Sequence, residues 1–161
     1  MNRTIIKLFF YLCILTALPS YAQNAVHYYF KTMDIRNGLS QNTVYQILQD
    51  RKGFMWFGTK DGLNRYDGLS YRVYKKENSG LGKNFITALY EDHEGNIWIG
   101  TDGGVFIYNP VLDSFTAFNQ TSDKGTVIKD FVTMIGSDEY DNIWISVENQ
   151  GLFCYNHEKR L

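Results

Sequence analysis

The sequence predicts an all-β fold, a partial β-propeller of about three four-stranded antiparallel blades with an N-terminal strand in outer-strand register. Two observations carry that prediction. A long motif occurs three times in variant form, and Trp56, Trp98 and Trp144, the centres of its copies, are 42 and 46 residues apart. That spacing is the period of one four-stranded unit in a radial sheet array rather than of a helical repeat.

The copies run from Asp50 to Asp67, from Asp92 to Asn109, and from Asp138 to Asn156. In each, an Asp (Asp50, Asp92, Asp138) stands six residues before the Trp, and Asn42, Asn84 or Asp130 stands fourteen before it. Tyr66, Tyr108 and Tyr155 follow the Trp by ten, ten and eleven residues. Gly53 and Gly95 lie in the loop before the Trp, and Gly58 and Gly100 lie two residues after it. These recurring positions are the candidate structural residues of the repeat.

Taken in order, Tyr28 to Met33 reads as a strand in the register of a blade's last strand, so the phase is d, abcd, abcd, abc. The units cover about 43–75, 85–118 and 131–156, within a propeller region of 27–161. In the first unit Thr43 to Gln49 alternates as an innermost strand buried on both faces of stacked sheets would. Asp50 to Gly53 is a hairpin loop, because an Asp side chain accepts from backbone N–H groups just ahead and Gly supplies positive φ. Phe54 to Thr59, Leu63 to Tyr66 and Tyr71 to Tyr74 complete the unit. The second follows with Ile86 to Glu91, Ile97 to Thr101, Val105 to Tyr108 and Phe115 to Phe118, and Asn109-Pro110 opens its last turn. The third departs from the pattern: Asp141 replaces the loop Gly, Ser146 replaces Gly58 and Gly100, one residue is added before Gly151, and Leu161 falls about where an outer strand would begin. A blade cannot bury both faces alone, so the three tryptophans are expected to pack between blades, each burying ~150–250 Å². The competing reading is an aromatic stack for a sugar or a base.

Hydrophobic residues make up 44% of the chain and charged residues 20%, which describes a folded protein. Residues 1–22 read as a secretion signal cleaved after Ala22: Arg3 and Lys7 precede a short apolar run, Leu8 to Leu18, which ends in small residues. The run is short for a membrane span. Cys13 sits inside it, away from the position a lipidated cysteine needs. Removal of the leader leaves 139 residues with 14 basic and 17 acidic side chains, and that balance excludes a nucleic-acid footprint. Cys154 remains as a single thiol, expected to be a buried small apolar residue rather than part of a disulfide framework.

Other candidate sites read as structure. His27, His93 and His157 lack metal-ligand spacing and are expected in solvated loops. Gly100 to Gly104 resembles a phosphate loop, but no helix follows to offer its N-terminus, so a hairpin is the expectation. The Asp138 to Asn142 turn lacks the ligand pattern of a calcium loop. Asn119-Gln120-Thr121 matches a glycosylation acceptor. No pair of carboxylates is arranged as general acid and base, and no cofactor or metal is implied.

The pattern Asp-x-x-Gly-x-[apolar]-Trp-[apolar]-Gly-Thr-x-x-Gly-[apolar]-x-x-Tyr, preceded by Gly38 to Val44, resembles the two-component regulator propeller repeats over residues 28–156. In that family such repeats form the extracytoplasmic sensor of hybrid two-component system proteins of Bacteroidetes. There a signal peptide, two seven-bladed propellers, an immunoglobulin-like domain, a membrane span, a histidine kinase and a response regulator follow in order. The resemblance implies an exported, periplasmic, non-enzymatic sensing segment, an oligosaccharide ligand and an output on polysaccharide-utilisation genes. It implies no kinase activity for this chain, which looks like the front end of such a sensor and would be membrane-anchored only within a longer parent. The alternative is an independent interaction module that completes its ring with a second copy, and a propeller-built enzyme such as a lyase is a third reading.

Overall fold

The computed structural model describes residues 28–120, 125 and 127–156, together with Arg3 and Lys7, which are helical and exposed. The expected leader otherwise, its cleavage after Ala22, Cys13, His27, Thr121 and His157 lie outside the described residues. The chain divides into two units, Met1–Lys31 and Thr32–Leu161. All eleven described strands belong to the second.

They form three antiparallel sheets in which sequence neighbours pair. Blade 1 is β1 (Val44–Gln49), β2 (Met55–Thr59), β3 (Gly62–Tyr66) and β4 (Tyr71–Tyr74). Blade 2 is β5 (Ile86–Glu91), β6 (Ile97–Thr101), β7 (Gly104–Asn109) and β8 (Ser114–Ala117). Blade 3 is β9 (Val132–Ser137), β10 (Ile143–Val147) and β11 (Gly151–Tyr155). The registers superimpose. Trp56 lies opposite Leu48 and Arg65, Trp98 opposite Tyr90 and Ile107, and Trp144 opposite Gly136 and Cys154. Each first strand carries an irregularity near its start, and a bulge there raises the local twist that fans the blades apart.

Two apolar cores lie between the blades. One joins Trp56, Leu63 and Tyr74 of blade 1 to Ile86, Ile97, Ile99 and Tyr108 of blade 2. The other joins Ala88, Trp98, Val105 and Phe118 of blade 2 to Val132, Ile135, Ile143, Ile145 and Val147 of blade 3. Because side chains alternate across a strand, every blade has a front face bearing Trp and a back face bearing Tyr; front packs on the next back. β6 in the middle is buried at all five positions. β1, expected to be covered on both faces, is instead exposed at alternate residues, Tyr45, Ile47 and Gln49. Its back face has no sheet against it among the described residues.

Tyr28 to Met33 forms no strand. An outer strand exists only by pairing with the third strand of its own blade, and no strand pairs with this segment among the described residues. Tyr28, Tyr29 and Phe30 are exposed, and residues 28–31 fall in the first unit. The sequence reading also missed two short turns ahead of the blades. A 3-10 turn, Ile35–Asn37, precedes blade 1, and a helix, α1 (Lys76–Ser79), precedes blade 2. Asn42 Oδ1 accepts from Ile35 N at 3.0 Å and Asn84 Oδ1 from Lys76 N at 2.7 Å, which accounts for the recurring Asn.

Candidate functional site

The motif's recurring Asp is an acceptor hub. Asp92 Oδ1 accepts from Glu94 N at 3.0 Å and Asn96 N at 2.8 Å, while Oδ2 accepts from the Trp98 indole at 2.8 Å. Asp50 repeats this with Lys52 N, Phe54 N and Trp56 Nε1 (2.8 Å), and Asp138 with Tyr140 N, Asn142 N and Trp144 Nε1 (2.9 Å). The six-residue spacing therefore serves both the hairpin and the indole. Backbone capping was legible in the sequence; the indole bond was not. Gly53 and Gly95 adopt φ of 89° and 83° in these loops, and Asp141 is held at 59° in the same place.

Behind the Trp, the Gly-Thr pair closes the next hairpin. Thr101 Oγ1 donates to Gly104 O at 2.7 Å and accepts from Gly103 N at 3.2 Å, as Thr59 does with Gly62 O and Asp61 N. So 100–104 is a hairpin, as expected, and not a phosphate loop. In blade 3 Val147 has no hydroxyl, and the loop is a residue longer with Asn149 at φ 60°. The Gly of the pair is where blades come closest. A Cβ on Gly58 would lie 2.7 Å from Ile86 Cγ2, and one on Gly100 2.7 Å from Val132 Cγ1.

The tryptophans stack toward the next blade. Trp56 meets Tyr74 at 5.9 Å and Tyr108 of blade 2 at 5.0 Å between ring centres. Trp98 meets Phe118 at 5.0 Å and Tyr155 of blade 3 at 5.7 Å. Both tryptophans are 1% exposed, whereas Trp144 is 38% exposed because nothing described covers its face. Cys154, expected to be buried, is exposed on that same face. Tyr66 sits on the back of blade 1 against Tyr71 at 4.8 Å.

A polar cluster that sequence reasoning did not find ties blade 1 to blade 2. Asp113, at φ 48°, accepts from Tyr108 at 2.8 Å and Tyr74 at 3.2 Å and pairs with Arg72 at 2.6 Å; Arg65 donates to the Tyr108 hydroxyl at 3.1 Å. Burial opposes the Asp113 charge, but the two hydroxyls and Arg72 outweigh it and hold its pKa below the usual value. Burial first, then the neighbouring hydroxyl for Tyr74 and Asp113 for Tyr108, pushes both tyrosines up. Asp138 is lowered from 3.8 to about 2 by donors from Asn142 and Trp144.

The signs give a pH profile. Lowered carboxyls add stability above pH about 4 that is lost as pH falls toward about 2, and raised tyrosines add stability below pH about 10 that is lost above it. The urea midpoint is expected to be level near neutrality and to drop on both sides, with Asp138→Asn flattening only the acid limb and Asp113→Asn flattening the acid limb and, because Asp113 helps to raise Tyr108, part of the alkaline one. An unchanged acid limb in both variants removes these carboxylates from the account.

Two surfaces could receive a ligand. A cleft of about 300 Å³ opens beside Trp98, Phe118, Asn119, Gln120 and Tyr155, with Asp92, Glu94 and Asn96 along its rim. At the first interface Phe115 packs on Tyr74 and Tyr108, at 5.1 and 5.0 Å. The corresponding place at the second interface, against Phe118 and Tyr155, is this cleft, so its shape suits an outer-strand aromatic. The other surface runs along the starts of the innermost strands. Tyr45, Phe85 and Phe131, one from each repeat, form a row with spacings of 4.8 and 5.6 Å, and Lys60 lies 5.8 Å from the Phe85 ring. All three rings are partly exposed. His93 lies in an exposed loop, as expected. Among the described residues no three His, Cys, Asp or Glu side chains are grouped to hold a metal ion, and no helix is long and apolar enough to cross a membrane.

The profile of the Two component regulator propeller family matches residues 38–61 and 80–103, which span the d-to-a link, strands a and b, and the b-to-c turn of the first two repeats. Over 59 residues the chain is 42% identical to Histidine kinase P4 of Formosa agariphila, a stretch that covers 37% of this chain and 4% of that protein. Its fold is similar to the extracellular domain of BT3049, a B. thetaiotaomicron protein assigned to the hybrid two component systems. The TM-score there is 0.70 and the identity 29%, over 80% of this chain and 19% of that one. The extracellular domain of BT4673 from the same organism, assigned likewise, gives a TM-score of 0.64 and 30% identity over 73% of this chain and 17% of that one. The chain thus spans about a fifth of the solved domains it matches and far less of the kinase. Its first two repeats match the two-component regulator propeller model, and its blades are similar in sequence and fold to part of the extracellular domains of proteins assigned to hybrid two component systems.

Proposed function

We propose that this chain is a non-enzymatic, exported propeller segment that contributes blades to a periplasmic oligosaccharide sensor of the hybrid two-component type. The observation that carries the reading is the likeness to the extracellular domain of BT3049 across 80% of the chain. The chemistry of the blades supports the non-enzymatic part. The buried carboxylates Asp50 and Asp92 are occupied by backbone and indole donors, and Asp113 by two hydroxyls and a guanidinium.

Ligand recognition is assigned to the row Tyr45, Phe85 and Phe131. Half-exposed rings beside polar groups such as Lys60 suit a ligand with an apolar face and a hydroxyl edge, as a pyranose has. The test is calorimetric titration of the purified chain with neutral and uronic-acid oligosaccharides. One of these classes is expected to bind, and Phe85→Ala is expected to weaken it at least about tenfold with the thermal melt retained. Binding that survives Phe85→Ala moves the site elsewhere, and no binding by either class overturns the oligosaccharide reading.

A further inference from the structure

Burial strips a hydroxyl of water, and unless a protein partner replaces that water the loss costs stability. Among the described residues one buried side-chain polar atom has no such partner, Thr87 Oγ1. Thr87 is 7% exposed, with Ile86 and Ala88 buried on either side.

The repeat shows where this hydroxyl lies. Strands β1, β5 and β9 each leave one residue out of register with the next strand: Tyr45 between Val44 and Gln46, Thr87 between Ile86 and Ala88, and Thr133 between Val132 and Met134. At this position Tyr45 meets the ring of Phe85, the residue before Ile86 of the next blade, at 4.8 Å. Phe131, the residue before Val132, is the counterpart of Phe85 one blade on. The same geometry sets Thr87 beside Phe131, at the foot of the pair that Phe85 and Phe131 make at 5.6 Å. In blade 3 the equivalent hydroxyl is engaged, since Thr133 Oγ1 lies 2.8 Å from Ser146 Oγ and 3.2 Å from the Ser146 carbonyl oxygen. Blade 2 has Gly100 there, and a Cβ on it would stand 2.7 Å from Val132 Cγ1. Close packing of blades 2 and 3 thus denies Thr87 the partner that Thr133 has. The place lies between these two blades and owes nothing to the face at either end of the array.

Valine has the same branched shape and no hydroxyl to leave unpaired, so packing alone favours valine at position 87. A binding site can leave a polar group unpaired because the ligand completes it, and such a site rejects an analogue that lacks the matching group. Resting on the oligosaccharide reading of the aromatic row, we infer that Thr87 is a ligand-binding residue: a sugar hydroxyl that enters between Phe85 and Phe131 hydrogen-bonds Thr87 Oγ1. Phe131 is its cover. The ring is only half-buried, and a turn by one rotamer step opens the way to the hydroxyl.

Two measurements on the purified chain test this: urea unfolding without sugar, and calorimetric titration with tetrasaccharides prepared from xylan, mannan, galactan and polygalacturonate. Thr87→Val is expected to raise the urea midpoint, yet to weaken whichever tetrasaccharide binds the wild type by about fivefold or more. Thr87→Ser keeps the hydroxyl and gives up a methyl group, so it is expected to lower the midpoint and to hold the affinity within about twofold. A raised midpoint with unchanged affinity in Thr87→Val overturns the inference, while continued dependence on Phe85 would keep the oligosaccharide reading. A lowered midpoint in Thr87→Val overturns it too, because the hydroxyl then has a partner in the free protein, such as a buried water. Equal losses of affinity in the Val and Ser variants show that shape rather than the hydroxyl matters, and sink the assignment. No binding by any of the four tetrasaccharides is a different failure, which removes the oligosaccharide reading itself and the role of Thr87 with it.

Discussion

Trp98→Ala is expected to cost about 3–5 kcal/mol of folding stability, the range for removing a large aromatic from a packed core. Trp98 is 1% exposed, touches Phe118 and Tyr155, and donates to Asp92, itself 1% exposed. The variant thus leaves a cavity between two blades and takes one donor from a buried carboxylate. Trp144→Ala removes the same residue at the same register with the same carboxylate bond, at 2.9 Å, but from a face 38% exposed. It is expected to cost less, about 2 kcal/mol, since more than a third of the side chain is already in water and less apolar burial is lost. Urea unfolding followed by far-UV circular dichroism measures both. Equal losses would mean that the hairpin bond, rather than the covering blade, supplies the energy. Because each blade contacts only its neighbours, the Trp98 variant should also loosen blade 3, seen as faster amide exchange in β9 to β11 than in β1 to β4.

Gly100→Ala is expected to cost about 1–3 kcal/mol, the usual penalty for overpacking. The added Cβ would stand 2.7 Å from Val132 Cγ1 and 2.9 Å from the Ala88 Cβ. Both neighbours are short side chains on buried strands, so neither can swing aside. Gly136→Ala is the control: its Cβ meets nothing within 4 Å, and it is expected to be neutral or slightly stabilising through the lower entropy of the unfolded chain. Val132→Ala should recover part of the Gly100→Ala loss by vacating the contested space, a coupling a double-mutant cycle detects. Additive losses would show that the close approach of the blades is relaxed in solution.

The number of blades, their hairpins and the register of Asp, Trp, Gly and Tyr were legible in the residues because each depends on contacts within a few positions. Asp92 caps its own loop, Thr101 closes its own turn, and apolar alternation marks its own strand. The candidate binding row was not legible, because Tyr45, Phe85 and Phe131 share no motif position: the Phe residues precede the first strand where Thr43 stands in blade 1. Nor was the Asp113 cluster. Its partners Arg72 and Tyr74 lie about forty residues upstream, and the hairpin that holds it is offset from that of blade 1, Tyr108 pairing with Phe115 where Tyr66 pairs with Tyr71.

What the chain could declare locally, then, was a set of near-identical sheets, since pairing between adjacent strands is written in turn residues and period-two alternation. What had to wait for three dimensions was the difference between them. Trp98 and Trp144 are equivalent in sequence yet lie in unlike surroundings, Cys154 and Ile47 face solvent where apolar residues were expected to be covered, and Tyr28 to Met33 forms no strand. The physical reason is the same in each case. Burial is a property of two surfaces, and a residue's own neighbours in the chain supply only one of them.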